Sequence, residues 1–293
     1  MKLNFVMSLL ALVGISCNSQ PALVKASDDN TLLWQISGNG LKQPSYFFGT
    51  MHILCSEDAT TSPNLKAVIN RVGQVYFEID MDDLGQIMGG MGAMDMLDGK
   101  KLKDYYTEAE YEKVKGWFTE HGQLPFSMME NYKPLLLSSM VGEEAMACPQ
   151  KDGMEMRIMS LAAKRKLEIK GLETMAFQAG IMDSIPYEEQ AKDLLESIDS
   201  AGSQKKMMDK LVVEYKTQNL DSIDAMTRAE EGGVAKYLDL MLYSRNENWV
   251  KQFDAIAKQK STLFAVGAGH LPGEKGVLNL LRKKGYTLTP IKN

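Results

Sequence analysis

Histidine and cysteine are scarce in this chain, with three of each among 293 residues. No compact metal-binding signature such as H-E-x-x-H occurs, so any catalytic or metal centre has to be assembled from residues far apart in sequence. A basic excess is missing too: 33 lysines and arginines face 38 acids, for a net charge of −5, which excludes a nucleic-acid surface built on positive charge. No short-period repeat is visible, and no proline- or serine-rich linker divides residues 31 to 293 into separate domains.

The apolar run MKLNFVMSLLALVGIS at residues 1 to 16 is too short to span a bilayer as a mature helix and has the build of a secretory signal peptide. Cys17 follows it directly, ahead of the polar "NSQPALVKASDDN", which resembles a bacterial lipoprotein processing site with Cys17 as the lipid-bearing residue. Gly14 stands where such sites usually carry leucine, so an ordinary cleavage near Ala22 or Ala26 is the alternative. The expectation is a signal over 1 to 16, a tether over 17 to 30 and a domain over 31 to 293. The protein is then exported to a bacterial cell envelope, as a lipoprotein of the outer membrane or periplasm that meets the membrane through its anchor. Cys55 and Cys148 are left as a disulfide pair or as free thiols; Cys55, three residues after His52, is otherwise a buried thiol, a metal ligand or a nucleophile.

Strand patterns lie towards both ends of the domain. "TLLWQIS" (31 to 37) and "SYFFG" (45 to 49) flank the turn-rich "GNGLKQP" and predict a hairpin or two adjacent strands. Ser62 and Pro63 supply an N-cap and a first-turn proline for a helix with Leu65, Val68, Ile69 and Val72 on one face. "QVYFEID" (74 to 80) alternates, setting Val75, Phe77 and Ile79 against Tyr76, Glu78 and Asp80.

A helical insertion is expected over about 84 to 240. Thr107 and Glu110 form a capping box for a helix ending near Gly122, with His121 as a surface cap in its last turn. A helix over 153 to 166 leads into the short strand "LEIKG", and 186 to 218 supplies two amphipathic helices. The methionine-rich segment 81 to 99 reads as a pliable lid or core segment, or as a soft-metal surface. At the end, "STLFAVGAGH" is followed by a helix carrying Val277, Leu278, Leu280 and Leu281, then Gly285 and the strand "YTLTPI". The fold class is therefore α/β with mixed strands: a central sheet from the N- and C-terminal segments around a long helical insertion.

The last unit repeats the first in one respect. "YFFGTMH" (46 to 52) and "FAVGAGH" (264 to 270) both end a strand-like run with a glycine three residues before a histidine. With 24 glycines among 293 residues, a histidine meets that condition by chance about one time in twelve, so the pair is a stronger signal than either member. Ligands of open α/β sheets bind at the carboxyl ends of strands, which places His52 and His270 in a crevice. Glu78, near the end of its own strand, can meet them there. Two imidazoles and a carboxylate make an open shell for a divalent cation, and such a cation supports hydrolysis. Without metal, a histidine acts as base with Glu78 orienting it. Purely structural roles compete: Glu78 as a bond to a strand edge, and either histidine as a helix cap.

Taken together, "SYFFGTMH", "VYFEID", "GLETMAFQ" (171 to 178), "RNENW" (245 to 249) and "FAVGAGHLPGEKGVLNLLRKKGY" resemble the TraB/GumN family, whose animal relatives are the TIKI Wnt-cleaving proteases. That resemblance implies a fold shared with erythromycin-esterase-like and ChaN-like proteins. It also implies a metal site of His52, Glu78 and His270 that takes manganese or cobalt, with zinc a further candidate for the divalent cation. It gives weight to Glu173 as a further ligand or supporting residue, and to Gln178. It also draws in Arg245 and Asn246, in the first turn of a helix capped by Ser244 with Trp249, Phe253 and Ile256 on its inner face. Arg245 there suits a substrate carboxylate or an oxyanion, or else forms a surface ion pair.

The function expected from this is an exported, lipid-anchored, metal-dependent hydrolase acting on a peptide or small-molecule substrate. The alternatives are a haem- or iron-binding lipoprotein, a protein that holds a signal peptide without cutting it, and a metal-independent esterase-like hydrolase.

Overall fold

The computed structural model describes residues 22–122, 124–146, 148–229 and 236–293; the signal segment and Cys17 lie outside them. Strands β1 (Leu33–Ser37) and β2 (Ser45–Thr50) form the expected antiparallel hairpin. Its turn needs left-handed backbone at three successive residues, Gly38, Asn39 and Gly40, at φ of 81°, 47° and 81°. The chain then forms the short β3 (Leu54–Cys55) and helix α1 (Pro63–Ile69), where Ser62 Oγ accepts the Leu65 N–H at 2.9 Å as the cap. Strand β4 (Gln74–Ile79) buries Val75 and Phe77 on one face and leaves Tyr76 and Glu78 on the other.

The middle is helical: α2 (Leu84–Met91), α3 (Glu108–His121) and α4 (Pro134–Glu144) precede the two-residue β5 (Lys151–Asp152) and α5 (Met154–Lys164). Thr107 and Glu110 form the expected capping box, and His121 Nδ1 lies 3.0 Å from the Trp117 carbonyl at the helix surface. Strand β6 (Glu168–Glu173) leads to α6 (Met175–Met182), α7 (Tyr187–Asp199), α8 (Ala201–Lys216) and α9 (Leu220–Ala229). Helices α3, α4 and α7 close a small core of their own around Val114, Phe118, Leu137 and Leu194. The methionine-rich segment divides: Met96 is buried, whereas Met88 and Met91 on α2 are exposed.

The chain returns through α10 (Ser244–Gln259), β7 (Thr262–Gly267), α11 (Val277–Lys283) and β8 (Thr287–Ile291). Here one expectation is corrected. Ser244 does not cap a helix start, because a π-helical turn at Asp239–Tyr243 runs straight into α10 and the Ser244 N–H donates to the Asp239 carbonyl. Arg245 consequently does not sit at a free helix end.

All six long strands join one mixed sheet in the order β6-β4-β7-β2-β1-β8. The first four are mutually parallel, and β1 pairs antiparallel with both β2 and β8. The C-terminal β7 thus slots between β4 and β2, which is how residues two hundred positions apart become neighbours. Part of the expected tether touches the sheet as well, with Lys25 bridging to Ile291 on β8. One sheet face is covered by α10, whose Phe253 packs against stacked Phe47 and Phe264, their centroids 4.9 Å apart. Helix α5 packs on the β4 and β6 side and touches α1. Burial on both faces explains why β2 and β7 read as near-continuous apolar runs rather than as alternating ones.

Candidate active site at the carboxyl ends of four strands

The parallel strands β6, β4, β7 and β2 all point the same way, so their carboxyl ends line up along one edge of the sheet. That edge carries Glu173 from β6, Glu78 from β4, the Gly267–His270 turn after β7 and the Gly49–His52 segment from β2. Neither motif glycine adopts a left-handed backbone. They are needed for close approach. A Cβ on Gly49 would lie 2.9 Å from Leu271 Cδ1 and 3.1 Å from Ala268 Cα, where the two motifs pack against each other. One on Gly267 would lie 3.2 Å from a Glu78 carboxylate oxygen.

Glu78 and His270 meet directly, with His270 Nε2 3.7 Å from Glu78 Oε1. The same oxygen accepts the Gly267 N–H at 2.8 Å, while Oε2 accepts Arg245 Nη2 at 2.5 Å and Gln178 Nε2 at 3.3 Å. Glu173 Oε2 accepts Arg245 Nε at 3.0 Å and Gln178 Nε2 at 3.1 Å, and lies 2.9 Å from Arg245 Nη2. Arg245 Nη1 donates to the Met241 carbonyl at 2.9 Å, in the π-helical turn, and lies 3.4 Å from His270 Nε2. Every N–H of the guanidinium is therefore engaged. Arg245 is no surface ion pair; it is the buried hub of the cluster.

Asn246 sets the tautomer of His270. Its Nδ2 donates to the Lys275 carbonyl at 3.0 Å, so its Oδ1 faces His270 Nδ1 at 2.6 Å and accepts the proton there. The unprotonated Nε2 thereby faces the Arg245 Nη1 donor, with Glu78 Oε1 beyond it at 3.7 Å, and Trp249 backs the ring at 4.3 Å between centroids. Burial takes the His270 pKa down to about 3, with Glu78 pulling the other way and Arg245 adding to the fall, so the ring is neutral at pH 7. Burial also works to raise the Glu78 pKa, but His270, Arg245, His52 and the Gly267 N–H outweigh it and bring it down to about 2. With His270 uncharged, Arg245 is the lasting counter-charge that keeps Glu78 ionised.

His52 does not join this cluster by direct contact. Its Nδ1 lies 2.7 Å from Glu155 Oε1, with 66% of the His52 side chain exposed and only 7% of that of Glu155. Hydrogen bonding to Glu155 raises the His52 pKa to about 9, against desolvation and with help from the Glu155 and Glu78 charges. Glu155 was not anticipated. Its signal was legible all the same: an acid at the head of the buried stripe Glu155, Ile158 and Ala162 on α5. The start of α5 is pinned to the exit of β2, since the Met154 N–H donates to the Met51 carbonyl at 3.1 Å and β3 pairs with β5. A Cys55–Cys148 disulfide, with Cα atoms 5.8 Å apart, fastens the same junction.

Glu155→Gln removes the charge that holds the proton on His52. In an NMR titration its midpoint should move from about 9 towards the ordinary 6.5, by an amount trimmed because solvent screens so exposed a ring. An unmoved midpoint would sever the link between the two residues.

The donor chemistry suits a divalent cation in part. Glu78 is ionised, His270 carries an unprotonated Nε2 that Arg245 Nη1 faces at 3.4 Å, and one guanidinium against the carboxylates of Glu78 and Glu173 leaves the cluster one negative charge in excess. Among the described residues, however, no three His, Cys, Asp or Glu side chains are gathered closely enough to hold a metal ion, because His52 faces Glu155.

Comparison with known proteins bears on this arrangement. A family model described as the TraB/PrgY/gumN family matches residues 32–290. The chain belongs to the TraB/PrgY/gumN family. Distant similarity extends to Metalloprotease TIKI1 of Danio rerio, 22% identical over 89% of this chain and 63% of that protein. It extends also to Metalloprotease TIKI1 of Homo sapiens, 23% identical over 92% of this chain and 63% of that protein, and to Metalloprotease TIKI2 of Xenopus tropicalis, 23% identical over 91% and 61%. The TraB/PrgY/gumN chain spans about three-fifths of the length of these curated relatives. No solved structure matches it significantly.

Proposed function

We propose that this family member is a metal-dependent hydrolase that cuts peptide bonds at the crevice formed by Glu78, His270 and His52. The observation that carries the reading is the approach of Glu78 and His270 from adjacent strand ends, with the tautomer of His270 fixed by Asn246. The similarity to proteins named metalloproteases supports it.

Glu78 and His270 would hold a divalent cation such as manganese, cobalt or zinc, with His52 brought closer than this structure places it, and the cation would supply a more acidic bound water and a polarised peptide carbonyl. The other roles belong to the chain itself. Asn246 keeps the proton on His270 Nδ1 so that Nε2 remains a donor of electrons. Glu155 holds His52 Nδ1, so the nitrogen that His52 would offer to a cation is Nε2, once deprotonated. Arg245 and Glu173 fix Glu78 as a charged carboxylate, and the engaged guanidinium acts as a positioning residue rather than as an oxyanion donor.

Export and lipidation belong to the same reading. The Cys55–Cys148 disulfide supports an oxidising compartment, and the sequence around Cys17 supports a lipid anchor. No helix among the described residues is long and apolar enough to cross a membrane.

Elemental analysis of protein purified without a histidine tag and loaded with manganese, cobalt or zinc tests the metal. Near-stoichiometric metal in the wild type, lost in a His52→Ala/His270→Ala double variant, is the expected result. Equal metal content in the two proteins would contradict it by placing the metal elsewhere, and none in either would contradict it and favour metal-free acid-base hydrolysis.

A further inference from the structure

A cleft of about 500 Å³ opens beside His52, between α4, α8, α9 and the exit of β2. Its walls are largely thioether and aliphatic, with Met51, Met207, Met208, Leu211 and Met226, and His52 and Glu143 also stand in the lining. Two observations show that this is not ordinary core. Along the 16 residues of α8 only Tyr215 is buried. Tyr215 donates its hydroxyl to the Gly49 carbonyl at 2.9 Å, at the end of β2, and so fixes the helix over the site. Leu211, Met208 and Met207 fall one and two turns before Tyr215 on that same face, so the anchor aims an under-buried apolar stripe at the space next to His52. On the far side α9 packs on the second histidine motif, with Thr227 Oγ1 3.4 Å from where a Cβ on Gly269 would stand.

We propose that this cleft is the specificity subsite of the enzyme, and that it takes a run of uncharged, apolar side chains of an extended peptide substrate on one side of the bond presented to His52, Glu78 and His270. The inference rests on the peptidase reading above and adds the chemistry of the substrate to it. Continuity with the candidate site identifies the occupant, since His52 belongs to both. The volume lies within the range of ligand pockets, roughly 300–1,000 Å³, and exceeds what one side chain fills. Gly142 on α4 has open space where a side chain would project, which leaves room for a chain to lie along the cleft. Methionines repack around different apolar shapes, so the subsite accepts leucine, methionine and phenylalanine alike.

The test uses the full chain with 13C-labelled methionine methyl groups and two synthetic peptides, one with a Leu-Met-Leu centre and one with a Ser-Asn-Ser centre in the same glycine-rich frame. The Leu-Met-Leu peptide should shift the methyl signals of Met207, Met208 and Met226 and leave those of Met88 and Met91, exposed on α2, in place; the Ser-Asn-Ser peptide should shift none. Met207 is 42% exposed, so Met207→Glu is accommodated in the free protein, and it should weaken binding of the Leu-Met-Leu peptide about tenfold or more. Shifts that are equal for both peptides, confined to Met88 and Met91, or absent would overturn the proposal. Mass spectrometry of the same samples separates the two ideas. Binding at the cleft without cutting removes the hydrolase and leaves the subsite, and cutting without any shift of the three cleft methyls removes the subsite and leaves the hydrolase.

Discussion

Arg245→Met is expected to destabilise the fold by about 3–5 kcal/mol, because it leaves the carboxylates of Glu78 and Glu173 buried without their cation. Side-chain exposure is 10% for Arg245, 12% for Glu78 and 6% for Glu173, so solvent does little to screen the loss. Thermal unfolding followed by circular dichroism should show a fall in Tm on the order of 10 °C. Adding Glu78→Gln to Arg245→Met removes one of the stranded charges and should recover part of that fall. A double variant no more stable than Arg245→Met alone would mean that the guanidinium contributes by packing, not by charge.

If the proposed site is right, Glu78→Gln and His270→Ala each reduce peptide hydrolysis by about a hundredfold or more. Asn246→Ala acts one step away, by freeing the tautomer of His270, and should cost about tenfold to a hundredfold. The order of these effects matters more than any single value, because Asn246 reaches the cluster through His270. Initial rates on one peptide, with folding of each variant verified by circular dichroism, check the order. Asn246→Ala as damaging as His270→Ala would assign Asn246 its own contact with substrate.

Much of the fold was legible because its signals are local. The Gly-Asn-Gly turn, the Ser62-Pro63 helix start, the Thr107 capping box and the apolar runs of β2 and β7 each follow from a few adjacent residues. Strand order was not legible in this way. The insertion of β7 between β4 and β2 is a tertiary choice, yet it brings Glu78 and His270 together. The pairing of His52 with Glu155 was hidden for a related reason, since it depends on the pinning of α5 to the exit of β2 and on the bridge from Cys55 to Cys148. Ser244 misled because serine before a charged turn is a strong capping pattern, and nothing local announces that a π-helical turn already satisfies its N–H.

The most direct test of the whole account is a peptide library analysed by mass spectrometry before and after incubation with cation-loaded wild type, Glu78→Gln and His270→Ala. A site built where four strand ends meet predicts new termini with the wild type and none with either variant. An intact library after incubation with the wild type under manganese, cobalt and zinc, or the same products from all three proteins, would contradict it.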